Sequence, residues 1–412
     1  MPPASPAARH VRRKKKFLVF GTEYTFMEAP IVCYSFDDMS MKKMTIGIDA
    51  SRANVAKRTG VEWYAYHLIQ ELKQVIPDSY RVVLYSREPL TDGLEVMPSH
   101  WESRVLLWPP KRLWTQMRLS YEMLARPPDL LFSPVHVLPM ILPKRAVVTV
   151  HDVAFMALPE AYGRLGSMYL QFATWYASRF ARILTVSEFS KSEIVKYFGA
   201  DPARIFVTPL GLTGTVPEVG LSPSTIADPY FLFVGRLEKK KNLAGLLRAF
   251  RFFKKRGGAH HLVLIGKRGR GYEEAIREGM EDVHELGYVA QENIPALYAG
   301  ATAFVFPSWY EGFGLPILEA FAAGTPVIAS RTTSIPEVAG DAALYIDPAA
   351  PEKIAEAMEM IVNNSSLRER LITLGRARAQ QFTWRATAEK TWASLLLSFR
   401  NPARAGYPES RK

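Results

Sequence analysis

The sequence predicts an α/β protein made of two doubly wound Rossmann-like domains that face each other across a cleft. Three observations predict it. Short apolar runs alternate with amphipathic stretches along most of the chain. The alternation comes in two series, separated by a segment rich in Gly, Pro, Ser and Thr at 211–229. A chain of 412 residues with 48% hydrophobic content is also long enough to bury two cores.

The elements follow in order. Residues 1–43 stand apart: they carry Arg12-Arg13-Lys14-Lys15-Lys16 but no continuous apolar region of a signal peptide. Two accounts are open, a basic disordered extension or a start assigned too early, since Met39, Met41 and Met44 immediately precede the first convincing strand. The first domain, 44–211, has strands expected at 45–48, 81–85, 130–132, 146–150 and 182–186, with helices at 61–76 and 190–198 between them. A linker covers 212–229. The second domain, 230–383, has strands expected at 230–234, 261–265, 301–306 and 326–329 and helices at 243–253 and 318–323, the latter closed by Gly324. Residues 384–412 hold a last helix at 384–399, with Trp392, Leu395, Leu396 and Leu397, and a tail.

Composition narrows the function. No run of 18 apolar residues occurs, so no transmembrane helix is expected. The single cysteine, Cys33, excludes an internal disulfide and fits a reducing compartment. The net charge of +12 suits nucleic acid, anionic lipid or a phosphorylated substrate. No compact nucleic-acid motif accompanies it, which ranks nucleic acid last.

The most informative stretch is Pro307-Ser308-Trp309-Tyr310-Glu311-Gly312-Phe313-Gly314-Leu315-Pro316-Ile317-Leu318-Glu319-Ala320. It reads as the end of a strand, a glycine turn and a helix N-terminus, where free N–H groups and the helix dipole favour oxyanions and hydroxyls. Gly312 and Gly314 can take backbone angles closed to other residues and let a ligand approach the main chain. Glu311 and Glu319 lie at most about 12 Å apart along a helix. Carboxylates accept hydrogen bonds from sugar hydroxyls, so the pair suits one ligand with two hydroxyl-bearing ends, such as a nucleotide sugar. The alternative is a capped helix with two solvated acids.

A second site is Val234-Gly235-Arg236-Leu237-Glu238-Lys239-Lys240-Lys241-Asn242-Leu243, between a strand and a helix. Arg forks onto phosphate oxygens and Lys adds a point charge, so a diphosphate fits there; an ordinary basic loop is the alternative. Lys239 and Lys240 are expected to be solvated. A third site is Val147-Val148-Thr149-Val150-His151-Asp152, a His-Asp pair at a strand's carboxyl end. Asp152 is expected to orient His151, and a purely structural histidine is the alternative. Residues 187–190 read as a helix cap. The glycine-rich basic run 266–271 lacks the Gly-x4-Gly-Lys order and reads as a loop.

On these residues the chain resembles the retaining glycosyltransferases of family 4, mannosyltransferase-like members included, over about residues 46–391. The resemblance implies the GT-B fold and a last helix that crosses back to the first domain. It implies that Glu311 contacts the transferred sugar and Glu319 the ribose, while Gly312, Phe313, Gly314 and Leu315 give main-chain contacts to sugar and phosphate. By the same resemblance Arg236 and Lys241 match the phosphate-binding cations, and His151 a strand-end histidine close to the donor sugar. Arg58-Thr59-Gly60-Val61 matches a loop that closes over the diphosphate, with Gly60 as its one glycine. Leu286-Gly287-Tyr288-Val289 matches the strand that edges the base pocket, so Tyr288 and Val289 border the base. The segment Pro209-Leu210-Gly211-Leu212-Thr213 departs from the family's Asn-Gly-Val-Asp ending.

The implied function is a cytoplasmic or inner-face peripheral enzyme. It would move a hexose, mannose or similar, from a nucleoside-diphosphate sugar to a hydroxyl of a glycan or lipid-linked acceptor in cell-surface polysaccharide synthesis. The implied mechanism is front-face, with retention at the anomeric carbon. No Asp-x-Asp pair occurs, the pair by which metal-dependent glycosyltransferases of the other major fold hold their ion, so neither a metal nor another cofactor is expected. Two alternatives are a nucleotide-sugar epimerase-type enzyme and an inactive GT-B sugar-nucleotide-binding protein. The acceptor is expected on the first domain. There Leu113, Met117, Tyr121 and Leu124 share one helical face beside Lys111, Arg112 and Arg118. An ordinary core-facing helix is the expectation, and a surface against anionic membrane is the alternative.

Overall fold

A computed structural model describes residues 43–109, 113–212 and 229–400, with the backbone of two strands nearer the start. The chain forms two compact units, Met1–Lys42 and Lys43–Lys412. In the first unit, β1 (Lys14–Val19) pairs antiparallel with β2 (Thr22–Met27). The sequence leaves this segment as a disordered extension or a start assigned too early; within it these two stretches are strands. The run Phe17-Leu18-Val19 and the alternating Thr22–Met27 have strand character that the preceding charges concealed.

The second unit holds two parallel sheets. The first contains β3 (Thr45–Asp49), β4 (Arg81–Ser86), β5 (Trp101–Val105), β6 (Leu130–Ser133), β7 (Ala146–Thr149), β8 (Arg182–Thr185) and β9 (Ile205–Val207), in the order β5-β4-β3-β6-β7-β8-β9. The second contains β10 (Tyr230–Val234), β11 (His261–Ile265), β12 (Val283–Gly287), β13 (Ala303–Phe306), β14 (Val327–Ser330) and β15 (Ala343–Ile346), in the order β12-β11-β10-β13-β14-β15. Every pairing in both sheets is parallel. Strands covered by helices on both faces need continuous apolar runs, and Tyr230-Phe231-Leu232-Phe233-Val234 is buried throughout.

Each sheet reverses its winding once, between β3 and β6 in the first and between β10 and β13 in the second. Ligands of open α/β sheets bind outside the carboxyl ends of the strands at this switch point. The loop after β10 begins Gly235-Arg236, and the loop after β13 runs from Pro307 to Gly314. The two most informative sequence motifs therefore flank one switch point.

Helices close the layers. Helix Gly60–Val75 buries Tyr64, Leu68, Ile69 and Leu72 at helical spacing, and Glu62 accepts the Thr59 N–H at 3.1 Å in its first turn. Helix Leu243–Lys255 buries Leu243, Leu246, Leu247, Phe250 and Phe253, each contributing about 2 kcal/mol by removal from water. The last helix, Trp384–Arg400, belongs by sequence to the second half and packs on the first. Trp384 stacks on His67 at 5.2 Å, Trp392 meets Tyr80 at 4.9 Å, and Arg145 Nε donates to the Ser398 carbonyl at 3.1 Å. Leu212 N–H bonds to the Phe382 carbonyl at 3.0 Å, so the chain's two passages between the halves run side by side.

The segment 113–125 corrects another expectation. Leu113, Met117, Tyr121 and Leu124 are 54–66% exposed rather than core-facing. The segment opens with a π-helical turn, Trp114–Leu119, before α-helix Ser120–Ala125. That turn places Trp114, Leu119 and Met123 inside and leaves the expected face outside. Lys111 and Arg112 lie outside the described residues, as does most of the linker 212–229.

Trp384 is 7% exposed and is shared by Tyr64 and His67 of the first domain. Trp384→Ala is expected to destabilise the fold by about 3–5 kcal/mol, as large aromatic truncations do. Urea unfolding followed by circular dichroism checks this, and a loss within about 0.5 kcal/mol, the range of neutral surface changes, would show that the crossing helix is not anchored there.

Candidate active site

The site is built where the carboxyl ends of the two sheets meet. From the second sheet come Glu311 and Lys241. Glu311 is 7% exposed, and its Oε1 lies 2.5 Å from Lys241 Nζ. Lys241 also sits 4.9 Å over the Phe306 ring. The Glu311 main chain is held by a polar run after β14. Thr333 Oγ1 accepts its N–H at 3.1 Å, and the Ser334 hydroxyl lies 2.9 Å from the carbonyls of both Glu311 and Phe313. Thr332-Thr333-Ser334 was the unread signal, a cluster of hydroxyls at a strand's carboxyl end.

Arg236 points outward, 65% exposed, with only a 3.4 Å contact to Glu238. Gly314 takes φ 111° as the N-cap of helix Leu315–Ala323, an angle that favours glycine. Phe313 turns its side chain inward against Phe382 at 5.8 Å, so only its main chain faces the turn. Glu319 lies further along that helix and accepts the Tyr298 hydroxyl at 3.0 Å; burial raises its carboxyl above the ordinary value, with that hydrogen bond working the other way.

Gly312 departs from its expected reason. Its backbone angle is ordinary, and the constraint is space. A Cβ there would come within 2.7 Å of both the His151 carbonyl oxygen and the Asp152 Cβ. Its carbonyl accepts the hydroxyls of Ser187 at 2.6 Å and Ser190 at 3.1 Å, from the first domain. Glu337 reaches back across the cleft, accepting the N–H groups of Glu188 at 2.9 Å and Phe189 at 3.2 Å at the N-terminus of helix Glu188–Phe198. The Ser187–Ser190 cap thus also joins the halves.

From the first sheet come His151 and Asp152, after β7. Burial drives the His151 imidazole down to about 4, against Asp152 and the Pro134 carbonyl, which favour its charged form. The ring is therefore neutral at neutral pH, and its Nε2 is buried without a hydrogen-bond partner. Asp152 does not hold this ring. Its Oδ1 accepts the Ala154 N–H at 3.0 Å, and its Oδ2 faces Lys240 Nζ at 4.0 Å. Burial favours its protonated form, but Lys240 and that hydrogen bond outweigh it and hold the carboxyl below the ordinary value.

Lys240 is a further correction. Its side chain is 15% exposed rather than solvated, whereas Lys239 is exposed as expected. Burial opposes the Lys240 charge, but Asp152, Tyr162 and Glu311 more than offset this and raise its pKa. The partner that draws it inward stands on the other domain, which spacing along the chain does not reveal.

His151 and Asp152 line a cavity of 740 Å³ with Ser51 and Arg52 after β3, His136 after β6, and Glu62 at the head of helix Gly60–Val75. The cavity opens at the first sheet's own switch point. Gly60 begins that helix but is exposed, with open space around it. Tyr288 follows β12, 70% exposed with Lys267 Nζ 5.7 Å from its ring, and Val289 is half-buried beside it. The run 266–271 is a loop that pairs with 237–239 through Leu237 N to Lys267 O and Lys239 N to Arg270 O, both 2.9 Å. Among the described residues, no cluster of three or more His, Cys, Asp or Glu could hold a metal ion.

Two facing parallel sheets with helices, and a polar cleft at their switch points, are the GT-B fold. Among solved structures the fold matches a sucrose-phosphate synthase from Thermosynechococcus elongatus (TM-score 0.67, 18% identity, 87% of this chain and 99% of that one). It also matches HepE from Anabaena in complex with UDP and glucose (TM-score 0.62, 19% identity, 87% of this chain and 100% of that one). The family model for glycosyl transferases group 1 matches residues 223–378, and that for glycosyltransferase family 4 matches residues 58–213. The chain is 36% identical to O-antigen chain mannosyltransferase B of Escherichia coli over 265 residues, 60% of this chain and 69% of that protein. It is 31% identical to an MMP α-(1→4)-mannosyltransferase of Mycolicibacterium hassiacum over 53% of this chain and 54% of that protein. The chain belongs to glycosyltransferase family 4.

Three half-buried histidines give a pH prediction. His67, His136 and His151 all have pKa values lowered by burial from 6.5 to about 4. Below pH 6.5 the unfolded chain takes up protons that the folded chain refuses until about pH 4. Stability is therefore fully present above 6.5 and is lost as pH falls through this window. His136→Gln should flatten the decline of melting temperature between pH 6.5 and 4; an unchanged slope would contradict the buried neutral state of His136.

Proposed function

We propose that this protein transfers a hexose, mannose or a close relative, with retention, from a nucleoside-diphosphate sugar to a hydroxyl of a glycan or lipid-linked acceptor in polysaccharide synthesis. The observation that carries it is the placing at one switch point of an exposed cation, Arg236, with the buried Lys241–Glu311 pair. The mannosyl choice is supported by the names of the relatives, an O-antigen chain mannosyltransferase among them.

In this reading the diphosphate lies against Arg236, Lys241 and the head of helix Leu315–Ala323. The sugar reaches across the cleft toward His151, whose unpartnered Nε2 can meet a hydroxyl. Glu319 holds the ribose. The C1–O bond to phosphate breaks, and the acceptor oxygen bonds C1 on the same face. The acceptor's proton passes to the leaving phosphate oxygen. Arg236 and Lys241 stabilise the charge that grows on that leaving group, the kind of preorganised electrostatic term that dominates many enzymes. Two cations in this position supply what a metal would, so we infer that no metal is required.

The burial of Lys241 shapes the test. Lys241→Ala would strand a buried carboxylate, which costs about 3–5 kcal/mol, so loss of activity there could reflect misfolding. Arg236→Ala has no such defect. It should lower kcat on the order of a hundredfold, as loss of one transition-state donor does, with an unchanged melting temperature and persistent wild-type activity in EDTA. Turnover of Arg236→Ala near wild type would remove the diphosphate assignment, and activity lost in EDTA and restored by Mg²⁺ would remove the metal-free one.

The two glutamates are expected to divide the donor. Glu319→Ala should weaken binding of the nucleoside diphosphate alone about tenfold, near the worth of one charged hydrogen bond. Glu311→Gln should leave that binding nearly intact while reducing transfer. Calorimetry decides, and equal weakening by both variants would end the division.

A further inference from the structure

Helix Arg164–Phe180 is inside out. It buries its small residues, Ser167, Ala173, Thr174, Ala177 and Ser178, against the first domain. Leu170 and Tyr176 pack partly inward, but most of its large residues face outward: Leu165 is 83% exposed, Met168 63%, Phe172 46% and Trp175 44%. A monomeric soluble surface normally breaks up such a stripe.

The stripe continues onto neighbouring segments. Gln116 Nε2 donates to the Tyr169 hydroxyl at 2.5 Å, and the Tyr176 hydroxyl donates to the Met140 carbonyl at 2.9 Å. Ser120 Oγ accepts the Met140 N–H at 2.8 Å. These bonds bring exposed Met117, Tyr121, Leu124 and Met140 into one apolar face with the helix.

The exposed charge of the segments that form this face has one sign, although exposed Glu160 lies just ahead of the helix. Residues 164–182 contain three Arg and no Asp or Glu, and residues 138–145 contain Lys144 and Arg145 and no acid; Arg145 turns to the Ser398 carbonyl and Arg182 to the Phe206 ring, which leaves Lys144, Arg164 and Arg179 as the exposed cations of these segments. The one carboxylate of 113–126, Glu122, is buried and held by Arg104 at 2.9 Å, Arg126 at 3.1 Å and Arg118 at 3.3 Å. Aromatic, Leu and Met side chains flanked by exposed cations, with exposed acid missing from these segments, have the chemistry of a bilayer interface carrying anionic headgroups. No helix among the described residues is long and apolar enough to cross a membrane, so contact through this face lies in the plane of the interface.

We propose that this face docks the first domain onto an anionic phospholipid bilayer. Its position gives the docking a purpose. Leu113, Gln116 and Tyr169 border both the apolar face and the 740 Å³ cavity. A lipid-linked acceptor could then keep its chain in the membrane while its head group enters the cavity. That purpose rests on the transferase reading, whereas the docking does not.

The test uses the full chain with vesicles of phosphatidylethanolamine and phosphatidylglycerol, and of phosphatidylcholine alone, without sugar nucleotide. Wild type should co-sediment with the anionic vesicles and much less with the neutral ones. The variant Leu165→Gln/Met168→Gln/Phe172→Gln/Trp175→Gln should lose binding by about tenfold or more, since each apolar side chain adds to interfacial affinity. Its melting temperature and its turnover of a short soluble acceptor should not change. In the wild type, bromine-labelled lipid should quench tryptophan emission, and Trp175→Phe should remove most of that quenching. This readout stands even if the fourfold variant folds poorly. Equal vesicle binding by wild type and the fourfold variant would overturn the proposal. So would a wild type that ignores vesicles but forms a dimer that the variant abolishes in sedimentation velocity, which would make the face an interface between copies. A chain that binds vesicles as described but transfers no sugar would overturn the proposed function and leave the docking intact.

Discussion

One contact sets the geometry of the rest: the approach of Gly312 to the end of β7. The Gly312 carbonyl takes hydroxyls from Ser187 and Ser190, and its α-carbon lies so near His151 and Asp152 that no side chain fits. Each such hydrogen bond contributes about 1 kcal/mol net, which is modest. The effect is geometric. Two sheets that fold around separate cores are brought together at their switch points, so that a loop from one donates to a site on the other. Lys240 beside Asp152, and Glu337 on the head of helix Glu188–Phe198, tie the same seam with charge.

From this seam the electrostatics follow. The buried Lys241–Glu311 pair and the half-buried Lys240–Asp152 pair are neutral as pairs, which lets four ionisable groups sit in a poorly solvated cleft. Arg236 also has a carboxylate near it, Glu238 at 3.4 Å, but it remains 65% exposed. A ligand with a diphosphate would meet one exposed cation and a helix N-terminus, with paired charges available for exchange. His151 adds a neutral polar atom rather than another charge.

Much of this was legible in the sequence where an element is dictated by its own residues. Strands β10 and β11 read directly as buried apolar runs, and both ends fell where expected. Edge strands did not. Val283-His284-Glu285-Leu286-Gly287 and Trp101-Glu102-Ser103-Arg104-Val105 alternate in burial and carry charge, which resembles a loop. Helix Arg164–Phe180 has no counterpart in the sequence reading, and its exposed apolar stripe, Leu165, Met168, Phe172 and Trp175, points away from the core that a periodic pattern normally marks. In the site, the motif residues after β10 and β13 stood out by local spacing. The role of Lys240 and the steric reason for Gly312 depend on residues of the other domain, and no local pattern encodes them.

The central claim is sugar transfer with retention from a nucleoside-diphosphate donor. The most direct measurement is proton NMR of the anomeric centre during incubation with GDP-mannose or UDP-glucose and a hydroxyl acceptor. The account predicts a new glycoside with the donor's α configuration, formed only when acceptor is present. A β-linked product, or conversion of the donor sugar without any acceptor, would contradict it.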